Sequence, residues 1–132
     1  MSMYKRKPID AYKSVDKATM SGRDVEAEVL TKAAIKLKNC QDNWDNDAGR
    51  RDSVLKQALD YNQRIWSIFQ GELGSDDNPL PVEIRRDLLR LSAFIDKRTF
   101  EIIATPEKDK LNILIAINQN IAAGLRQTPP SK

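Results

Sequence analysis

The sequence predicts an all-α protein, an antiparallel bundle of about four long helices with an N-terminal helical arm. Apolar residues recur at intervals of three and four over most of the chain, and no stretch alternates as a half-buried strand does. Glycine and proline are scarce, at 5 and 6 of 132 residues, so few positions oppose helix formation. Short polar stretches separate the helical patterns, which favours antiparallel neighbours.

The chain divides into three predicted parts. Residues 1–8 are expected to be a flexible basic N-terminus, residues 9–126 a single helical-bundle domain, and residues 127–132 a flexible tail with two prolines. A length of 132 residues suits one domain of this kind.

The arm and the first long helix come first within the domain. Residues 9–19 form the predicted arm, whose stripe comprises Ile9, Tyr12 and Val15. Ser21 and Asp24 resemble a capping box, and the helix that they open runs to about Gln41. One side of this helix carries Val25, Val29, Ala33, Leu37 and Cys40.

A polar loop from Gln41 to Gly49 leads to the second helix. Asp47 is a suitable cap for that helix, which runs to about Glu72. Trp44 is unusual in such a loop, and either it folds back over the helix ends or it is exposed for a partner.

Proline marks the start of each of the last two helices. Pro81 suits the first position of the third helix, which runs to about Ala104. Its apolar face comprises Ile84, Leu88, Leu91, Ile95 and Ile102. The run Thr105-Pro106-Glu107 predicts the start of the fourth helix, which ends near Gly124.

Two asparagines fall on faces that should be buried. Asn62 recurs at helical spacing with Leu55, Leu59, Trp66 and Phe69. Asn118 does so with Leu111, Leu114, Ile115, Ile121, Ala122 and Leu125. A buried amide without a partner costs roughly 1–3 kcal/mol. We therefore expect a shared polar contact inside the core, which would determine which helices pair. The alternative is that both amides line a groove for a bound helix.

Some apolar residues lie outside these main faces. They are Tyr61, Ile65, Ile68, Leu89, Phe94, Ile113 and Ile117. A second protein or the N-terminal arm would each account for such surplus surface, and the sequence favours neither.

The composition argues against an enzyme and predicts no metal and no cofactor. The chain has no histidine, one cysteine and no phosphate-binding glycine loop. Cys40 is in step with Ala33 and Leu37, so it is predicted as a small core residue. The N-terminus lacks a signal-peptide pattern and no apolar run is long enough to span a membrane, so we expect a cytoplasmic protein without membrane insertion.

An ordered set of segments resembles the flagellar biosynthesis regulator FlaF family. The segments are ALDYNQRIWSIF from Ala58, LPVEIRRDLLRLSAFIDKRTFEI from Leu80 and LNILIAINQNIAAGL from Leu111. AYKSV from Ala11 and GRDVEAEVL from Gly22 are similar as well, so the likeness covers roughly residues 12–125.

The resemblance implies a flagellin-binding cytoplasmic chaperone or adaptor that promotes flagellin synthesis and secretion. Its partner would be a terminal helical segment of flagellin, and the FlbT translational repressor is a further candidate partner. We place the binding groove on the second and fourth helices. The apolar contacts are Tyr61, Ile65, Trp66 and Ile117, and the rim is Arg64 or Arg98.

The alternative function is RNA-binding regulation of flagellin messenger RNA. The candidate phosphate contacts are Lys5, Arg6, Lys7, Lys13 and Lys17. The net charge is only +3, and only Tyr4 and Tyr12 provide aromatic rings near these residues, so nucleic acid is the less favoured partner. A homodimer that uses the surplus apolar surface also stays open.

Overall fold

The computed structural model describes residues 22–127, which form four α-helices and no strand. They are α1 (Gly22–Asp42), α2 (Ala48–Leu73), α3 (Val82–Ala104) and α4 (Leu111–Gln127), with a 3₁₀ turn at Lys108–Lys110 before α4. The all-α prediction is confirmed for this part of the chain. The predicted basic N-terminus, the arm and residues 128–132 lie outside the described residues.

The contacts between helices define an antiparallel arrangement. The Nζ atom of Lys36 lies 4.9 Å from the centre of the Tyr61 ring, and the later half of α1 thus faces the middle of α2. At the end of α1, Gln41 Nε2 donates to Asn112 Oδ1 over 2.7 Å, at the start of α4. α1 packs most extensively against α4, α2 packs on α1, and α3 packs on α2.

Small residues explain why α1 and α4 approach most closely. Ala27, Ala33 and Ala34 of α1 and Ala122 of α4 are buried, and short side chains let two helix backbones come together.

Val25 was predicted on the buried stripe of α1 but is 40% exposed. Ala33, Leu37 and Cys40 are buried as predicted, and Ala27, Leu30 and Ala34 complete the buried face.

The loop between α1 and α2 is held by local polar contacts. Asp47 caps α2 as predicted, since its side chain accepts from the Arg50 backbone N–H over 3.0 Å. The Asp45 carboxylate accepts from the Asp47 backbone N–H and from Arg50, and these bonds lower the pKa of Asp45. Trp44 is half-buried against the core, with the Arg51 guanidinium 5.6 Å from its ring centre, so it folds back over the helix ends.

The last two helices begin slightly later than predicted. Pro81 occupies the cap position of α3, and the helix itself begins at Val82. Thr105 ends α3, and its carbonyl accepts from Lys110 Nζ over 2.7 Å. The 3₁₀ turn then carries the chain to Leu111, where α4 begins.

The predicted contact between the two asparagines is present in the core. The Trp66 indole N–H donates to Asn118 Oδ1 over 2.9 Å, and Asn118 Nδ2 donates to Asn62 Oδ1 over 2.7 Å. All three side chains are almost completely buried. An indole nitrogen can only donate, so it must face the amide oxygen of Asn118, and the amide nitrogen of Asn118 must then face the oxygen of Asn62.

Polar side chains also join α2 to α3. Gln70 Nε2 donates to the Ser92 hydroxyl and, over 3.1 Å, to Asp96 Oδ2. Ser92 and Thr99 are buried on the inner side of α3, and the Thr99 hydroxyl is satisfied by the Ile95 carbonyl over 2.7 Å. These small polar residues let α3 sit close to α2 without an orphaned hydroxyl.

We predict that Asn118→Ala lowers the free energy of unfolding by about 2–4 kcal/mol. The change leaves the Trp66 N–H and the Asn62 carbonyl oxygen unpaired and opens a small void. Asn120→Ala is the matched control, because Asn120 is exposed on the same helix and its loss should cost less than about 0.5 kcal/mol. Urea denaturation of both variants measures the difference, and equal midpoints would contradict a structural role for Asn118.

Candidate partner-binding surface

Five of the eleven exposed large apolar side chains of the described residues lie on α3, while others of similar exposure, such as Ile68 on α2 and Ile35 on α1, lie on separate helices. Phe100 is 67% exposed, Val82 56% and Ile103 55%. A single exposed apolar residue is ordinary in a folded protein, but several on one helix indicate a binding surface.

These residues belong to one strip along α3. We define the α3 outer strip as Val82, Leu89, Ala93, Phe100 and Ile103. Intervals of three, four and seven residues place them on one side of a helix, beside but not on the side that packs on α2. At 1.5 Å per residue the strip is about 30 Å long.

Basic residues border the α3 outer strip. Arg86, Arg90 and Lys97 are exposed and lie along the edge of the strip that faces away from the bundle. The Arg90 guanidinium lies 3.5 Å from Asp87 in an ion pair exposed at both ends, so that pair is weak.

Asp96 lies within the strip at the same helical spacing, and its carboxylate accepts from Gln70 Nε2. Apart from this half-buried acid the strip is apolar, and its positive border suits an amphipathic helix that carries acidic residues along one edge.

The structure places two of the sequence-predicted contact residues in the core. Trp66 is 1% exposed and Ile65 is also buried. Burial leaves both side chains little surface for a partner, although Trp66 also lines a cleft beside Phe69 of α2 and Leu125 of α4. Their role as partner contacts stays a prediction.

Trp66 is buried because it lies on the same face of α2 as Asn62. Both side chains bond to Asn118 of α4 and fill the contact between the two helices inside the core.

The other four predicted contacts do not share one surface. Tyr61 is half-buried on the side of α2 that faces α1, with Lys36 over its ring, and Arg64 is exposed near it. Ile117 is half-buried on α4 against the core. Arg98 lies on α3 with its guanidinium 5.7 Å from the Phe94 ring centre, and its Nε is 3.7 Å from Glu101, an ion pair too long for a hydrogen bond.

Sequence reasoning missed the α3 outer strip as a unit. It marked Leu89 and Phe94 as outside the main face but did not connect Leu89 with Val82 and Phe100. The seven-residue spacing was the available signal.

Two observations in residues 22–127 concern metal ligands and the single cysteine. No group of three or more His, Cys, Asp or Glu side chains there is arranged to hold a metal ion. Cys40 is buried as predicted, and burial raises the pKa of its thiol. The five basic residues named for RNA binding lie outside the described part of the chain, so that alternative stays a prediction.

The described residues thus form a small all-α bundle in which α3 carries an exposed apolar strip. Among the described residues, no helix is long and apolar enough to cross a membrane. A family model described as flagellar protein FlaF matches residues 8–125. The chain therefore belongs to the FlaF family of flagellar proteins, and the resemblance seen in the sequence is confirmed. Comparison with curated proteins and with solved structures found no match.

We predict opposite outcomes for two residues of α3 that are two positions apart. Phe100→Ala should change the free energy of unfolding by less than about 0.5 kcal/mol, because the ring is exposed. Ile102→Ala should cost about 2–5 kcal/mol, because Ile102 is fully buried. Denaturant midpoints measure both changes. A large decrease in the free energy of unfolding from Phe100→Ala would show that another group covers the strip in the isolated protein.

Proposed function

We propose that the protein is a flagellin-binding adaptor that promotes flagellin synthesis and secretion. Its ligand is a terminal amphipathic helical segment of flagellin, held before export so that it does not associate with other copies. Membership of the FlaF family supports the flagellar role. The observation that carries the binding role is the α3 outer strip with its basic border.

The energetics of the strip are consistent with specific binding. Complete burial of one large apolar side chain is worth about 1.5–3 kcal/mol, and part of that sum offsets the cost of association. Phe100, Val82 and Ile103 are each more than half exposed, so most of their side-chain surface is still available for burial. The border residues contribute orientation and association rate more than affinity.

The sequence-predicted contacts take two roles in this proposal. Trp66 and Ile65 act from the core by holding α2 in place, and they do not touch flagellin. Tyr61 and Arg64, together with the exposed Ile68, form a second and smaller surface on α2, which we call the α2 surface. We assign flagellin to the α3 outer strip because the Lys36 side chain already occupies one side of the Tyr61 ring.

The test is size-exclusion chromatography and calorimetry of the protein with its cognate flagellin. Flagellin is used at full length and with either terminal segment removed, and FlbT is added in a parallel series. We expect co-elution at tens of micromolar that is lost with one of the two truncations.

Two double variants locate the binding surface. Phe100→Ser/Ile103→Ser removes two apolar contacts of the strip and should weaken flagellin binding about tenfold to a hundredfold. Tyr61→Ala/Arg64→Ala, the comparison variant on the α2 surface, should change the affinity less than about threefold. The reverse result would move the site to the α2 surface.

Absence of binding by the unmodified protein would overturn the proposal. The next assay would then be RNA binding at several salt concentrations, with and without residues 1–8. Affinity that falls steeply with salt and is lost on the truncation would support the alternative function.

A further inference from the structure

A cleft opens at the end of the bundle where α1 begins and where α2 and α4 end. Its volume is about 90 Å³, and its apolar walls come from α2, α3 and α4 through Phe69, Leu88 and Leu125. A cavity of about 150 Å³ can hold a benzene molecule, so this smaller space suits one aliphatic side chain. We call this opening the end cleft.

Apolar surface continues from the end cleft onto the outside of the bundle. Leu80, from the loop before α3, lines the cleft and is exposed. Ile84 is also exposed, and it lies one helical turn before Leu88 on the same face of α3. A ligand that fills the cleft can therefore bury neighbouring apolar surface as well. This suits a protein segment with an apolar stripe better than a small molecule.

Two carboxylates line the end cleft, the half-buried Glu26 of α1 and the exposed Glu72 of α2. Burial raises the pKa of the Glu26 carboxyl, and the charge of Glu72 and a hydrogen bond with it raise that pKa further, while Arg23 offsets the effect in part. Two acids beside apolar walls thus repel each other in the free protein. A cation supplied by a partner would relieve this repulsion.

The charge of the end cleft differs from that of the α3 outer strip. Among the described residues that line the cleft, only Glu26 and Glu72 are charged. The α3 outer strip has a border of Arg86, Arg90 and Lys97 instead. The two surfaces therefore favour partners of opposite charge.

We propose that the end cleft binds a segment of a second protein that carries an apolar stripe with lysine or arginine beside it. One aliphatic side chain of the segment enters the cleft, and the next residues of its stripe cover Leu80 and Ile84. The basic residue faces Glu26 and Glu72. The protein thus has a second partner surface, which does not depend on the proposed binding of flagellin to α3.

The direct test uses two synthetic amphipathic peptides and NMR of the full chain with labelled leucine and isoleucine methyl groups. One peptide has a leucine stripe flanked by lysines, and the other has glutamates in place of the lysines. We expect the lysine peptide to shift the methyl signals of Leu73, Leu88 and Leu125, and to bind at least about tenfold more tightly at this site than the glutamate peptide. Ile103 is the internal control, because it is exposed on α3 away from the cleft. Equal affinity of the two peptides for the cleft would overturn the proposal.

A matched pair of double variants tests the two carboxylates. Glu26→Gln/Glu72→Gln should weaken binding of the lysine peptide about tenfold. Glu28→Gln/Glu83→Gln changes the net charge by the same amount at exposed positions that do not line the cleft, and it should change the affinity less than about twofold. Equal effects of the two double variants would show general charge attraction and would contradict the assigned site.

The stability of the free protein separates a binding role from a structural one. A carboxyl whose pKa is raised on folding lowers stability once the pH exceeds that pKa, so Glu26→Gln should raise the urea midpoint at neutral pH while it weakens peptide binding. A lower midpoint together with weaker binding would indicate a damaged fold instead. Leu80→Ser, an exposed loop substitution, should weaken binding at least about threefold without lowering the midpoint, and unchanged binding would count against the apolar contact.

Other occupants of the end cleft are detected in the same protein without peptide. A sample of mixed labelled and unlabelled chains is used for nuclear Overhauser measurements on the Leu88 and Leu125 methyl groups. Contacts from terminal residues of the same chain, or from a second copy, would assign the cleft to that occupant and would overturn the proposal. No flagellin is present in these experiments, so their outcome does not depend on the proposed function.

Discussion

The hydrogen-bonded chain from Trp66 through Asn118 to Asn62 is the constraint on which the rest of the bundle depends. It crosses the core from α2 to α4, and it can form only when the two helices have one register and one rotation. A shift of either helix would leave at least two buried polar groups without partners, and each such group costs about 1–3 kcal/mol. Apolar contacts alone tolerate such a shift more easily.

This constraint determines where a partner can bind. Around Asn62 and Asn118 the contact between α2 and α4 is filled from inside by an indole and two amides, whereas a cleft lined by Trp66, Phe69 and Leu125 opens towards the ends of the two helices. α3 is attached to α2 through Gln70 and its two acceptors, and its outer strip faces solvent. Exposed large apolar side chains also occur on the other described helices, among them Ile35, Ile68 and Ile113, but α3 carries the largest number of them.

The comparison of sequence with structure separates two kinds of inference. The Asn62–Asn118 contact and the cap at Asp47 were predictable, because each depends on local spacing or on the demand of a buried polar group for a partner. Trp66 was predicted on the buried face of its helix and is buried, whereas Val25 was placed on a buried stripe and is 40% exposed, because helical periodicity defines faces but not which neighbour covers them. The start of α4 depended on a 3₁₀ turn stabilised by Lys110 and the Thr105 carbonyl, for which the proline signal gives no indication.

The most direct test of the central constraint is hydrogen exchange of the two indole N–H groups, measured by NMR in the native protein. The Trp66 N–H is buried and bonded to Asn118, so its exchange should require global unfolding and should slow in step with the free energy of unfolding. The Trp44 N–H belongs to a half-buried ring in a loop and should exchange much faster. Exchange of Trp66 as fast as that of Trp44 would contradict a closed polar core between α2 and α4.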